Sequence, residues 1–200
     1  MGIVIGITGG IGTGKSLVSK KLRERGYRIL DADQLSREVT AVSSPALAEL
    51  VALFGQGILD AEGALDRKGL ASIVFSDTKK KQQMESIITA RIVARIREEA
   101  DAFRENGTGA LFLDAPTLYE TGADNCCDLV WLIIADTETR IARVMERDHC
   151  SREAVLARMH AQMPEEEKRR RAAECIDNSG DPSALDGQIE VLLKKYVPKY

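Results

Sequence analysis

Gly9-Gly10-Ile11-Gly12-Thr13-Gly14-Lys15-Ser16 is the stretch whose residue types and spacing point most directly to chemistry. It fits G-x-x-x-x-G-K-[ST]. A loop that wraps phosphates must aim several backbone N–H groups at one point, and glycine alone tolerates both the unusual φ angles and the close approach. A helix starting near Lys15 would turn its positive dipole end toward the anion. Lys15 would bring charge to the β and γ phosphates, and the Ser16 hydroxyl could bind Mg²⁺. The segment Gly10, Ile11, Gly12, Thr13, Gly14, Lys15 and Ser16 is therefore read as a nucleotide-binding P-loop.

Several carboxylates stand where such a loop could use them. Asp31-Ala32-Asp33 closes a short apolar run. A carboxylate there can orient or take the proton of an acceptor hydroxyl, or reach Mg²⁺ through water. The competing reading is that Asp33 caps a helix beginning near Gln34. Leu111-Phe112-Leu113-Asp114 is an apolar strand ending in Asp, so Asp114 is a candidate for Mg²⁺ or its water shell, against a plain turn residue before Pro116. Glu120 follows in the same loop as a candidate substrate-side residue. Arg140, Arg143 and Arg147 fall at three- and four-residue spacing on one helix. They form either a solvated face or a lid that closes guanidinium groups onto a transferring phosphoryl, with Arg143 and Arg147 favoured for the lid. An Arg in that role accelerates transfer by roughly 10³- to 10⁵-fold. Lys168-Arg169-Arg170-Arg171, preceded by three Glu, reads as a solvated helix with internal ion pairs.

The elements that must position these groups alternate between strand and helix. Ile3 to Ile7 is a continuous apolar run of the kind buried in a parallel sheet. A helix over Leu17 to Arg25 and a strand over Tyr27 to Leu30 complete a βαβ unit. From Gln34 to about Glu105 the pattern is mainly helical. It includes a long amphipathic run, Lys79 to Arg104, and a three-glycine turn or small hairpin between Gly55 and Gly63. Strands resume at Ala110 to Asp114 and Leu129 to Ala135. Then come a helix over Thr137 to Arg147, a charged stretch over 148–172, a short strand near Cys175-Ile176 and a closing helix over Pro182 to Tyr196. The expected fold is α/β: a P-loop NTPase-type parallel sheet flanked by helices, with a core over 1–33 and 106–200, a helical insertion over 34–105 and a lid over about 148–172.

Composition narrows the classes. At 200 residues the chain is long enough for one compact unit with insertions. A net charge of −3 argues against duplex-DNA and membrane-surface binding, so neither nucleic acid nor membrane is expected as a partner. The longest apolar stretch, Leu129 to Ala135, is too short to span a bilayer. No basic region opens the chain, so no signal peptide is expected. The four cysteines form no C-x-x-C pair, which suits a reducing, cytoplasmic setting. No N-K-x-D guanine motif and no Gly-rich ABC signature loop is present, which leaves small-molecule kinases as the best-fitting P-loop class. Kinases of shikimate, gluconate or nucleoside monophosphates are alternatives, as is a regulator that binds ATP without transferring phosphate.

Taken together, the motifs resemble those of the dephospho-CoA kinase family. The resemblance rests on T-G-G-I-G-T-G-K-S at Thr8 to Ser16, D-A-D at Asp31 to Asp33 and A-P-T-L-Y-E at Ala115 to Glu120. It continues in R-V-M-E-R-D at Arg143 to Asp148, Arg158, Gln162, and I-D-N-S-G at Ile176 to Gly180. It implies ATP-dependent phosphorylation of the ribose 3′-hydroxyl of dephospho-CoA by a monomer or small homo-oligomer, with a helical substrate domain and a lid. By matching positions it implies Asp33 as general base, Lys15 as phosphate clamp and Arg143 and Arg147 as lid arginines. It further implies Asn178 and Gly180 near the adenine, and Pro116, Leu118 and Glu120 on the substrate side. The sequence departs from the family pattern at Leu17, where Thr is usual, and at Thr89-Ala90, where a His-Pro pair is usual.

Overall fold

A computed structural model describes residues 2–75 and 77–197. The chain divides into two compact units, one of residues 1–31 and 99–200, the other of residues 32–98.

The first unit is built on five parallel strands: β1 (Ile3–Gly9), β2 (Arg28–Asp31), β3 (Ala110–Asp114), β4 (Leu129–Ile134) and β5 (Glu174–Asp177). Their order across the sheet is β2-β3-β1-β4-β5. β1 and β2 are therefore parallel, as the βαβ reading requires, but not neighbours. β3 enters between them and pairs with both, Ile7 opposite Asp114 and Asp31 opposite the same residue. Largely apolar, buried runs form β1, β3 and β4, because both faces of a parallel sheet are covered. Ile5, Ile7, Phe112, Trp131, Ile133 and Ile176 all lie in one core cluster with Val18 and Leu22 of helix α1 (Lys15–Glu24). Leu185, Ile189 and Leu193 of the closing helix, Pro182–Tyr196, join the same cluster. The Phe112 and Trp131 rings stand 5.3 Å apart, and Tyr27 meets Phe112 edge-on at 5.4 Å.

All five strands run the same way, so β1, β2 and β3 deliver Gly9, Asp31 and Asp114 to one edge of the sheet. That edge is where ligands bind in open α/β folds.

The second unit opens with α2 (Ala32–Val39) and α3 (Pro45–Phe54). Ser44 caps α3 by accepting the Leu47 N–H at 3.2 Å, with Pro45 at the first helical position. A 3₁₀ turn over Gln56–Ile58 and an antiparallel bridge from Leu59 to Leu65 form the small hairpin expected between the glycines. Two further helices follow, α4 (Arg67–Phe75) and the long α5 (Thr78–Asn106). Leu50, Ile58, Leu70 and Val74 form the core of this unit, with Met84, Ile87 and Ile88 of α5 packed on it.

Beyond Glu98, α5 belongs to the first unit, where Glu99 pairs with Arg28 and Arg104 pairs with Asp128 at 3.0 Å. The helix expected after β4 is α6 (Thr137–Asp148), the charged stretch beyond it resolves into α7 (Arg152–His160) and α8 (Glu165–Arg171), and the closing helix is α9. Among the described residues no helix is long and apolar enough to cross a membrane.

Candidate active site

The glycine loop joins β1, the central strand, to α1. Gly12 and Gly14 have φ of +81° and +83°, the left-handed region that side chains resist. At Gly12 there is also no room, since a Cβ would stand 2.6 Å from the Arg140 carbonyl oxygen. Thr13 is buried and closes the turn, donating both its N–H (3.2 Å) and its hydroxyl (2.9 Å) to the Gly10 carbonyl. Gly14 occupies the N-cap of α1, and no side chain caps its first N–H groups. The first turn of α1 carries no acidic residue. An uncapped, acid-free helix start leaves its N–H groups and dipole available to an anion.

Three side chains from distant segments hold the loop from behind. Gln162 accepts the Ile11 N–H at 2.9 Å, and Arg140 donates Nε to the Ile11 carbonyl at 2.9 Å. Asn178, buried just after β5, donates its amide to the Thr13 carbonyl at 2.8 Å. Arg143 donates Nη2 to the Asn178 carbonyl at 2.9 Å, while its Nη1 is buried without a partner. A Cβ on Gly14 would stand 3.8 Å from that nitrogen. Arg143 thus sits against the start of α1.

Arg140 lies on the same helix but does not share a solvated face. It is buried, ion-paired with Glu165 at 3.3 Å, and burial holds its guanidinium below the usual arginine range. Arg147 is exposed and bonds Asp148 at 2.7 and 3.0 Å. That bond, with a second from Arg158 at 2.6 Å, holds the Asp148 carboxyl down to about 2.

Lys15 bonds Asp114, whose other oxygen accepts the Ser19 hydroxyl at 2.5 Å. Asp114 is buried as the last residue of β3, so it is not a plain turn residue. Ser16 is exposed at the mouth of α1. Asp33 falls inside the first turn of α2, which begins at Ala32; it is not the cap of a helix starting near Gln34.

The loop after β3 is tightly tied down. The Pro116 carbonyl accepts the Thr8 hydroxyl at 3.3 Å, and the Leu118 side chain is fully buried. Burial pushes the Tyr119 phenol up to about 12, and Arg171 stacks 4.2 Å above its ring. Glu120 meets Lys168. The solvated-helix reading of the Lys168 to Arg171 run is overturned at its first residue: the Lys168 side chain is 2% exposed, with Nζ 2.9 Å from Glu120 Oε1. Arg169 keeps the expected internal pair with Glu165 at 2.9 Å. Gly180 is exposed after β5, two residues beyond Asn178.

Sequence reasoning missed Arg140 and Lys168 as buried anchors. For Lys168 the signal lay in the composition of α8: a helix with no apolar residue can meet the core only through a long charged stem.

Loss of the Asn178 anchor has a defined cost. In Asn178→Ala the Thr13 carbonyl loses its buried donor, a loss of about 1–3 kcal/mol. The loop then orders itself at the expense of ligand affinity, and ATP binding weakens by about 5- to 150-fold in a titration. Unchanged ATP affinity would remove the anchor role.

A parallel sheet whose central strand feeds a glycine loop, backed by buried anchors and opening an uncapped helix, defines a P-loop nucleotide-binding protein of the kinase type. The chain belongs to the dephospho-CoA kinase family, whose family model matches residues 3–183. A dephospho-CoA kinase of Geobacter sulfurreducens is 41% identical over 195 residues, 98% of this chain and 99% of that one. Among solved structures, a Thermus thermophilus protein superposes with a TM-score of 0.79 at 38% identity, covering 98% of each chain. Dephospho-CoA kinase from Campylobacter jejuni gives 0.76 at 26% identity, covering 98% of this chain and 97% of that one.

Proposed function

We propose that this chain transfers the γ-phosphoryl group of ATP to the ribose 3′-hydroxyl of dephospho-CoA, yielding coenzyme A and ADP, the last step of coenzyme A synthesis. One observation carries the reading. Motifs scattered along the sequence are joined by hydrogen bonds: Gln162 and the Asn178 of I-D-N-S-G bond the loop of T-G-G-I-G-T-G-K-S, and the Arg143 of R-V-M-E-R-D bonds Asn178. That loop would hold the triphosphate, with Asn178 and Gly180 on the base side.

In the transfer, the acceptor oxygen attacks the γ phosphorus as Asp33 takes the hydroxyl proton. The bond from the γ phosphorus to the β–γ bridging oxygen breaks, and ADP leaves. Lys15 and Arg143 stand where negative charge accumulates. Arg147 reaches the same charge when the lid, residues 148–172, closes. Asp33 and, in the other unit, Pro116, Leu118 and Glu120 are the residues assigned to the acceptor. Leu118 contributes there by packing beneath the loop.

No group of three or more metal-binding side chains occurs among the described residues. The Ser16 hydroxyl and Asp114 carboxylate suit Mg²⁺, a hard ion that keeps several waters and takes its other oxygens from phosphates. Held there, Mg²⁺ would offset negative charge on the phosphates. A cytoplasmic monomer or small homo-oligomer is the setting that fits this reading.

The test is ADP release with ATP and Mg²⁺, comparing dephospho-CoA with shikimate, gluconate and AMP. Turnover with dephospho-CoA alone is expected. Turnover with another acceptor instead would overturn the assignment of the acceptor.

A further inference from the structure

We infer that Lys168, a residue remote from the phosphate loop in sequence, is a positioning residue for acceptor binding, acting through Glu120. The inference deepens the functional reading above and rests on it.

Lys168 is the most buried charged side chain in α8, at 2% exposure, and nothing in the phosphate loop uses it. An ammonium is taken out of water only where it is compensated. Its compensation is the Glu120 carboxylate, which remains 27% exposed at the end of the loop after β3. The Nζ lies 2.9 Å from Oε1 without hydrogen-bond alignment, so the attraction is chiefly that of charge. The same Oε1 accepts the Met163 N–H at 3.3 Å. Both contacts fall on one oxygen of a carboxylate that stays partly exposed.

A carboxylate held this way differs from an ordinary surface glutamate. Its rotamer is fixed, its charge is anchored, and its exposed part is open to a donor on a ligand. Holding such a group in advance removes an ordering cost from binding. Its neighbours are fixed with it: Arg171 bonds Asp124 at 2.8 Å and stacks on Tyr119, so α8 pins the loop from residue 119 to 124. Three residues before Lys168, Glu165 pairs with Arg140, which holds the Ile11 carbonyl. One short helix therefore braces the phosphate loop at its start and the acceptor loop at its middle. The effect of Lys168 should still be confined to the acceptor, because Glu165 and Arg140 do not depend on it for a partner.

The experiment is a cycle of Lys168→Met, Glu120→Gln and the double variant, with KM for dephospho-CoA and for ATP, and kcat, measured on each. Losing one charge-assisted contact corresponds to a rise of about 10- to 100-fold in KM for dephospho-CoA. The KM for ATP and kcat should stay within about threefold of wild type. The double variant should be no worse than Glu120→Gln, since Lys168 acts through that carboxylate. Additive losses, or an equal rise in the KM for ATP, would make Lys168 a general structural prop and overturn the inference. Should Lys168→Met fail to fold, Glu120→Gln alone still decides, because an unchanged KM for dephospho-CoA there removes the group through which Lys168 acts. Wild-type enzyme is the control. If it does not turn over dephospho-CoA, the functional reading fails and this inference with it. If it does and the variants match it, this inference alone fails.

Discussion

Asp33→Ala lowers kcat by about 10²- to 10⁴-fold, the range expected when a positioned general base is removed, while ATP affinity stays within about twofold of wild type. The expectation comes from where Asp33 falls along the chain. It lies two residues past β2, whose last residue, Asp31, pairs in register with Asp114 at the carboxyl edge. It belongs to the first turn of α2. A general base takes the proton as the acceptor oxygen begins to bond, so the group acts on the transition state and not on ATP binding. The prediction therefore has two parts. Pre-steady-state phosphoryl transfer slows, and an ATP titration is unmoved. Asp33→Asn, which keeps the shape and removes the base, should fall as far as the alanine variant. A kcat for either variant within threefold of wild type would remove Asp33 from the chemistry. A parallel loss of ATP affinity would make it an organiser of the nucleotide site instead.

The parts of this molecule that could be read from sequence are those whose cause is local. Ala110 to Asp114 is an unbroken apolar run because both faces of its strand are covered, and the strand has those same limits. Thr137 begins a helix because Asp136 before it accepts the Thr139 N–H at 2.8 Å, a signal written within four residues. The glycine loop is legible for the same reason: its φ angles and its crowding are local demands. Pairing across distance is not written that way. β3 enters between β1 and β2 although 78 residues separate its first residue from the end of β2, and no local pattern states that order. Arg140 and Arg147 belong to one helix and one residue type, yet one is buried against the Ile11 carbonyl and the other is exposed beside Asp148. Their spacing could suggest a shared face, but only the packing of α6 on the loop separates them. Lys168 was misread for a related reason. Its neighbours Glu165 to Arg171 are all charged, so the run looks solvated, and burial is decided by a glutamate 48 residues away.

Lys15→Met should reduce kcat by about 10²- to 10³-fold, the loss typical of removing one preorganised group that faces developing charge. It should also weaken ATP binding by about tenfold or more, since a charge-assisted contact to phosphate is lost in the ground state as well. A third effect follows from the ligand-free arrangement. Lys15 is bonded to Asp114, with side chains 17% and 7% exposed. Removing one partner of a largely buried pair leaves the other charge poorly compensated, a destabilisation of up to about 3–5 kcal/mol. The Ser19 hydroxyl still donates to Asp114, so the loss should fall at the lower end. Stability and catalysis can then be separated. Adding Asp114→Asn to Lys15→Met removes the stranded charge, and the melting temperature should recover toward wild type while kcat stays low. A melting temperature that does not recover would mean that the stranded Asp114 charge is not what destabilises Lys15→Met. A Lys15→Met enzyme with near-normal kcat would show that the loop amides and Arg143 suffice to carry the phosphoryl charge. The assignment of Lys15 as the phosphate clamp would then fall.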